Sequence, residues 1–161
     1  MKLRNSLLII LLMTLLITTG CATTKYLEEM GLVAAAGFDQ IEDNRILGTI
    51  VMHFFDPEAQ QATKVFSSTG YSLKGTIQSM NSKSNKKIVT GQLRLLLLGE
   101  KIAREGVYDI LDPLARDPEV GTMLYITVVK GRANDILEHE YENIGNIGTY
   151  LYETIKQIHE E

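Results

Sequence analysis

The sequence has 161 residues, of which 45% are hydrophobic and 22% charged, and its formal net charge is −4. This composition supports one domain with a hydrophobic core and excludes a disordered chain, and the mild acidity makes a nucleic-acid-binding protein a poor hypothesis. The single cysteine excludes an internal disulfide and a cluster of cysteine metal ligands.

The first twenty residues have the pattern of a secretory signal peptide. Lys2 and Arg4 precede an apolar stretch from Leu7 to Leu16 that only Thr14 interrupts. The stretch is shorter than the roughly 20 apolar residues that a helix needs to cross a bilayer. It therefore predicts export of the chain and no permanent helical span.

Gly20 stands directly before Cys21, which is the arrangement of a bacterial lipoprotein signal. The pattern predicts cleavage between these two residues and acylation of Cys21 by more than one fatty chain, which makes anchoring durable. An ordinary secretory peptide with an incidental free thiol is the alternative. We expect residues 1–20 to be a lipoprotein signal peptide, residues 21–30 a lipidated tether, and residues 31–161 one folded domain.

Two β-forming segments follow the tether, Gly31 to Phe38 and Ile46 to Phe55. The polar connection between them has hairpin length, so we predict that these strands are antiparallel. Residues 67–70, with three hydroxyl side chains and a glycine, predict a break in the chain. A short helix is predicted next because Leu73, Ile77 and Met80 recur at helical spacing after the N-cap candidate Ser72.

The second half of the chain predicts a strand, helix, strand unit. Consecutive leucines between Gln92 and Leu98 favour a central strand that is buried on both faces. Val107, Ile110, Leu111 and Leu114 predict a helix that ends near Asp117-Pro118, and Pro113 inside it predicts a kink or a break. Thr122 to Lys130 is again β-forming. A helical crossover makes its two strands parallel, so the predicted sheet is mixed.

The clearest amphipathic helix lies at the C-terminal end, where Ile144, Ile147, Leu151, Ile155 and Ile158 recur at steps of three and four. We expect its apolar face to pack on the domain's own sheet; a partner or a following domain is the alternative cover. The predicted fold class is α/β (α+β): a mixed, mostly antiparallel sheet with one crossover unit, flanked by helices, in a single domain after a signal peptide.

Catalytic motifs are incomplete in this sequence. Gly70 and Gly75 have phosphate-loop spacing, but Thr76 occupies the position of the required lysine. Gly70, Tyr71 and Ser72 begin like a nucleophile elbow, but Lys74 replaces its second glycine. We predict no catalytic, cofactor-binding or metal residue and no cofactor.

The histidines do not complete a catalytic or metal-binding motif either. His139 and Glu140 open like a zinc-protease helix, but Asn143 stands where the second histidine is needed. His53 is interpreted as a core or interface side chain, and His159 lies at the chain end.

Two charged clusters leave alternatives open. Glu138, Glu140 and Glu142 form a candidate cation site, although a solvated face is the favoured interpretation. The lysines at positions 83, 86 and 87 lie among serines and asparagines and are able to reach lipid headgroups beneath an anchored domain. A solvated turn is the favoured interpretation there too.

Several sequence blocks, in order and spacing, resemble the C-subunit lipoproteins of spore germinant receptors, the Ger(x)C family. The resemblance starts at Cys21 and includes a hydrophobic strand that ends in Gly37-Phe38-Asp39. The later blocks are Ser68-Thr69-Gly70, Lys87 before Gly91-Gln92-Leu93, Gly99-Glu100-Lys101-Ile102-Ala103, Gly106, Arg116-Asp117-Pro118-Glu119, Lys130-Gly131 and Asp135-Ile136-Leu137. The family usually has tryptophan where this chain has Ala22, and a histidine is common in place of Gln92.

The resemblance implies a non-enzymatic, lipid-anchored subunit on the outer face of the spore inner membrane. Its partners would be two integral membrane subunits that sense small nutrients, and Cys21 is the one functional residue carried over. It also implies that relatives continue into C-terminal domains that are absent here. The alternative is a free-standing envelope lipoprotein that binds a small solute.

Overall fold

The computed structural model describes residues 29–55 and 63–160. Cys21 and the predicted signal peptide lie outside these residues. The described strands are β1 (Met30–Gln40), β2 (Ile46–Phe54), β3 (Thr63–Gly70), β4 (Lys87–Val89), β5 (Leu95–Gly99) and β6 (Tyr125–Val129). The described helices are α1 (Leu73–Lys83), α2 (Glu100–Glu105), α3 (Tyr108–Arg116), α4 (Ala133–Leu137) and α5 (Ile147–Glu160), and a 3-10 turn spans Glu42–Asn44.

The strands form one mixed sheet in the order β3-β2-β1-β5-β6, with β4 also paired to β1. The strands β1 and β3 each pair antiparallel with β2, whereas β4 and β5 run parallel to β1, and β6 runs parallel to β5. The predicted fold class, the antiparallel hairpin and the helical crossover from β5 to β6 are confirmed.

Helices cover the sheet on both faces because β5 has no polar face. Leu96 and Leu98 pack in one cluster with apolar side chains of α1, α2 and α3. Leu95 and Leu97 pack in the other cluster with α4 and α5. All four leucines are at most 2% exposed, which confirms the prediction of a strand buried on both faces.

The predicted break at residues 67–70 is wrong, because these residues form the end of the edge strand β3. Their polar side chains find partners within the fold: the Ser67 hydroxyl lies 3.2 Å from Thr49 Oγ1, and the Ser68 hydroxyl lies 2.6 Å from Ser79 Oγ. Hydroxyl side chains with such partners are compatible with a strand.

The helical region before β6 also differs from expectation. Its break lies at Gly106, which has φ +128° and separates α2 from α3. The helix α3 continues through Pro113 without a break and ends at Arg116, which confirms the predicted end near Asp117-Pro118. The short elements β4 and α4 were not predicted.

The C-terminal helix packs on the domain's own sheet, as expected. Ile147 is buried, and Leu151 and Ile155 pack against the cluster that contains Leu95 and Leu97. The last residue of the predicted stripe, Ile158, is 71% exposed. No helix within residues 29–55 and 63–160 has the length and apolar character needed to cross a membrane.

Candidate functional site

The strand directions define two ends of the sheet. We call the end where β1 and β5 finish, at Gln40 and Gly99, the carboxyl end. The opposite end, where Met30 of β1 pairs with Lys87 of β4 and Gly31 pairs with Phe54 of β2, is the amino end. Each end carries a distinct group of polar residues.

A buried carboxylate organises the carboxyl end. Asp39 is 2% exposed, and its two oxygens accept hydrogen bonds from the backbone N–H groups of Ala133 (2.8 Å) and Asn134 (2.9 Å). These are the first residues of α4, so Asp39 caps this five-residue helix from a distant strand. Burial raises the pKa of Asp39, and the two N–H groups and the Arg132 guanidinium oppose that increase.

Close backbone approach is required around this carboxylate. A Cβ at Gly99 would overlap Asp39 Oδ1, so only glycine fits at the end of β5. Next to it, the Glu100 N–H donates to the Gly131 carbonyl at 2.8 Å, and Gly131 itself has φ +79°. Blocks of the sequence that are far apart in the chain therefore meet at one place.

The polar contacts continue from α4 to the edge of the sheet. Asn134 Nδ2 donates to Thr49 Oγ1 at 2.9 Å and lies 3.3 Å from Ser67 Oγ. The Ser67 hydroxyl in turn donates to Glu138. Within the described part of the chain, no buried side-chain nitrogen or oxygen lacks a partner. The contacts between the sheet and α4 hold this helix in place. We call the residues that make them, together with Gly99, the Asp39 lock (Asp39, Thr49, Ser67, Gly99, Asn134).

The amino end carries a groove of about 780 Å³ between the sheet and the first turns of α5. Most of its wall is apolar. The side chains that line it are Leu32, Ala34, His53, Phe54, Phe55, Gln92, Arg94, Met123, Thr149, Tyr152 and Glu153. An apolar concave surface with a few polar groups is the usual form of a binding site, so we take this amino-end groove as the candidate functional site.

His53 anchors α5 at one side of the groove. Asn146, directly before α5, accepts the Thr149 N–H at 2.7 Å in the manner of an N-cap. This orients its amide nitrogen toward His53 Nε2, at 2.9 Å, and toward Thr63 Oγ1, at 3.2 Å. The structure thus confirms the interpretation of His53 as an interface side chain, here between sheet and helix.

Two charged groups on the groove have no partner within the described residues. The half-buried Arg94 uses its backbone to bond to Ala34 and Tyr125, while its guanidinium lines the groove. The exposed Glu153 carboxylate lies on the helix side. Neither residue was predicted from the sequence to belong to a site, because the groove is assembled from five separate segments.

The rejected catalytic motifs have structural roles. Ser72 is the N-cap of α1 and accepts the Gly75 N–H at 3.2 Å, and the Thr76 hydroxyl donates to the Ser72 carbonyl. His139 packs edge-on against Tyr141 with ring centroids 4.6 Å apart, and His159 packs against Tyr125.

The acidic cluster at residues 138, 140 and 142 is exposed. No group of three or more His, Cys, Asp or Glu residues in the described ranges is arranged to hold a metal ion.

The three lysines are spread between α1 and the amino end. Lys83 Nζ donates to Ser68 Oγ at 3.2 Å. Lys86 Nζ lies 5.4 Å from the centroid of the Phe54 ring, a cation–π distance. Lys87 is exposed and stands in register with Met30. Two of the three therefore lie at the end where the groove opens.

Comparison with known proteins gives one family. Residues 23–161 match the model described as spore germination protein N-terminal domain. The chain is 28% identical over 138 residues to the spore germination protein GerQC of Bacillus cereus; the aligned region covers 86% of this chain and 38% of GerQC. It is 22% identical over 141 residues to the putative spore germination protein YfkR of Bacillus subtilis strain 168; that aligned region covers 81% of this chain and 37% of YfkR. The chain spans little more than a third of the length of these relatives, and no solved structure matches it significantly.

Proposed function

Because the chain belongs to the family of the spore germination protein N-terminal domain, we propose that it is a lipid-anchored, non-catalytic subunit of a nutrient germinant receptor. The match over residues 23–161 carries this proposal. The names of both relatives also support a role in spore germination. The match covers only 38% of GerQC, so the function of the whole receptor subunit is part of the proposal.

The proposed anchor is Cys21, directly after Gly20 and a short apolar stretch. Acylation of this thiol would hold the domain at the outer face of the spore inner membrane, where two integral membrane subunits would be its partners. The Asp39 lock supports a non-catalytic role, because its buried polar groups are bonded to one another and to α4.

Replacement of Cys21 by alanine in the spore-forming host tests this proposal. We expect the variant to lose covalent lipid, as measured by mass spectrometry of the membrane fraction, and to respond more weakly to one class of nutrient. Thr23→Ala, two residues away, is the matched control and should retain both properties. Normal germination of the Cys21→Ala spores with every nutrient, or a host that makes no spores, would contradict the proposal.

The alternative is a free-standing envelope lipoprotein that binds a small solute. The amino-end groove favours this alternative, because its volume is about 780 Å³ and the Arg94 guanidinium, which has no partner among the described residues, lies among apolar side chains. Neighbouring genes discriminate the two functions: two membrane-protein genes of receptor type favour the receptor subunit, and transporter genes favour the solute-binding protein.

A further inference from the structure

Large apolar side chains are exposed around the amino-end groove. Phe55 is 48% and Met123 58% exposed, and they come from different segments that meet at this opening. Around the cavity at the carboxyl end, the prominent exposed side chains are instead the tyrosines Tyr71 and Tyr108, whose hydroxyl groups suit contact with water. Exposed apolar groups that meet at one site indicate a contact surface.

The chain direction places this surface next to the proposed anchor. Cys21 and Met30, the first residue of β1, are separated by nine residue steps. A fully extended segment of this length spans at most about 30 Å. The amino end of the sheet therefore stays near the anchored residue.

Basic side chains lie at the amino end. Lys87 is exposed there, and Arg94 lines the groove. The acidic residues Glu29, Glu119 and Glu153 lie at the same end. The phosphates of a membrane surface attract the two basic groups.

We propose that the amino end of the domain is its membrane-contact surface, with Phe55 and Met123 at the boundary between headgroups and acyl chains and with Lys87 and Arg94 at lipid phosphates. This proposal rests on the membrane attachment proposed above. It commits to the bilayer as the occupant, because the short tether, the exposed apolar side chains and the basic groups all lie at the same end.

Site-specific fluorescence on the membrane-held full chain tests this assignment. Four variants each add one cysteine: Phe55→Cys and Met123→Cys at the amino end, with Tyr71→Cys and Tyr108→Cys as controls at the carboxyl end. Each is labelled with an environment-sensitive dye, and quenching is measured with a nitroxide-bearing lipid and with aqueous iodide. The parent chain without an added cysteine reports any labelling of Cys21.

We expect several-fold stronger lipid quenching at positions 55 and 123 than at positions 71 and 108, and the reverse order with iodide. Equal quenching at all four positions would overturn the proposal. Protection of positions 55 and 123 from both quenchers would also overturn it, because a protein partner would then cover the surface.

The acylation of Cys21 is measured separately by mass spectrometry. A chain that is held in the membrane by an uncleaved leader still reports which end faces the bilayer. Failure of the anchoring proposal is therefore distinguishable from failure of the contact surface.

Discussion

The two ends of the sheet use their polar groups in different ways. At the carboxyl end, the Asp39 carboxylate is buried and bonded to the first N–H groups of α4. At the amino end, the Arg94 guanidinium has no partner among the described residues, and Phe55 and Met123 remain exposed beside an open groove. The first end is bonded within the fold, while the second is open to other molecules.

This difference separates what holds the fold from what it offers to a partner. The blocks ending in Asp39 and containing Gly99, Gly131 and Asp135 converge on the Asp39 lock. Resemblance in these blocks reports a shared fold. Specific contacts are expected instead at the amino end, where the Arg94 guanidinium has no partner among the described residues and Phe55 and Met123 are exposed.

The largest effect is expected when the lock loses its acceptor. Asp39→Ala leaves the buried N–H groups of Ala133 and Asn134 unpaired, so we expect a loss of about 2–4 kcal/mol in the free energy of unfolding. Urea denaturation measures it. Glu42→Ala, an exposed carboxylate in the adjoining turn, is the control and should change stability by less than about 0.5 kcal/mol. Equal stability of the two variants would show that Asp39 does not hold α4.

A smaller effect is expected at the amino end. Asn146→Ala removes the N-cap of α5 and the hydrogen bond to His53. Since the site is only partly buried, we expect a loss of about 1 kcal/mol. Thr154→Ala, which removes an exposed hydroxyl that bonds to its own helix, is the matched control. A loss for Asn146→Ala as large as that for Asp39→Ala would remove the contrast between the ends.

The contribution of Asp39 to stability should change with pH in the direction opposite to that of the exposed carboxylates. Burial raises the pKa of Asp39 above its ordinary value of 3.8, so its contribution to stability is present below that value and is lost as the pH rises through the folded-state pKa. Glu100 and Asp135 have the opposite sign, because Arg104 and Arg132 lower their pKa values. Their contributions are lost on acidification.

The difference in unfolding free energy between the parent chain and Asp39→Asn isolates the lock. We expect the parent's advantage to decrease as the pH rises through the folded-state pKa of Asp39. Urea midpoints across the acidic range measure this difference, and an advantage that grows with pH would contradict the assigned direction.

The sequence predicted the elements whose apolar residues are locally distinctive. The strands β1, β2, β5 and β6 are β-forming or continuously apolar runs, and the helices α1 and α5 have apolar residues at helical spacing. The edge strand β3 was missed because Ser67 and Ser68 look like turn residues until their hydroxyl partners across the sheet are known. The helix α4 was missed because its cap, Asp39, is 94 positions from Ala133.

The candidate site was even less accessible to sequence reasoning. His53 was interpreted as a core or interface side chain, but its partner Asn146 is 93 residues away and could not be predicted. Arg94 follows the buried Leu93 and precedes four buried leucines, and no local pattern indicates that its side chain lines a groove. Distances in space between separate segments, which periodicity does not encode, define the groove.

The smallest effect on stability is expected from the exposed apolar side chains of the amino end. Phe55→Ser and Met123→Ser each remove a side chain that is about half exposed. We therefore expect the free energy of unfolding, measured by urea denaturation, to change by less than about 0.5 kcal/mol. The matched control is Leu97→Ser at a position that is 1% exposed, which should be strongly destabilising because it places a hydroxyl in the core. If the two exposed sites prove as sensitive as Leu97, their side chains support the fold, and the amino end is then no freer for a partner than the Asp39 lock.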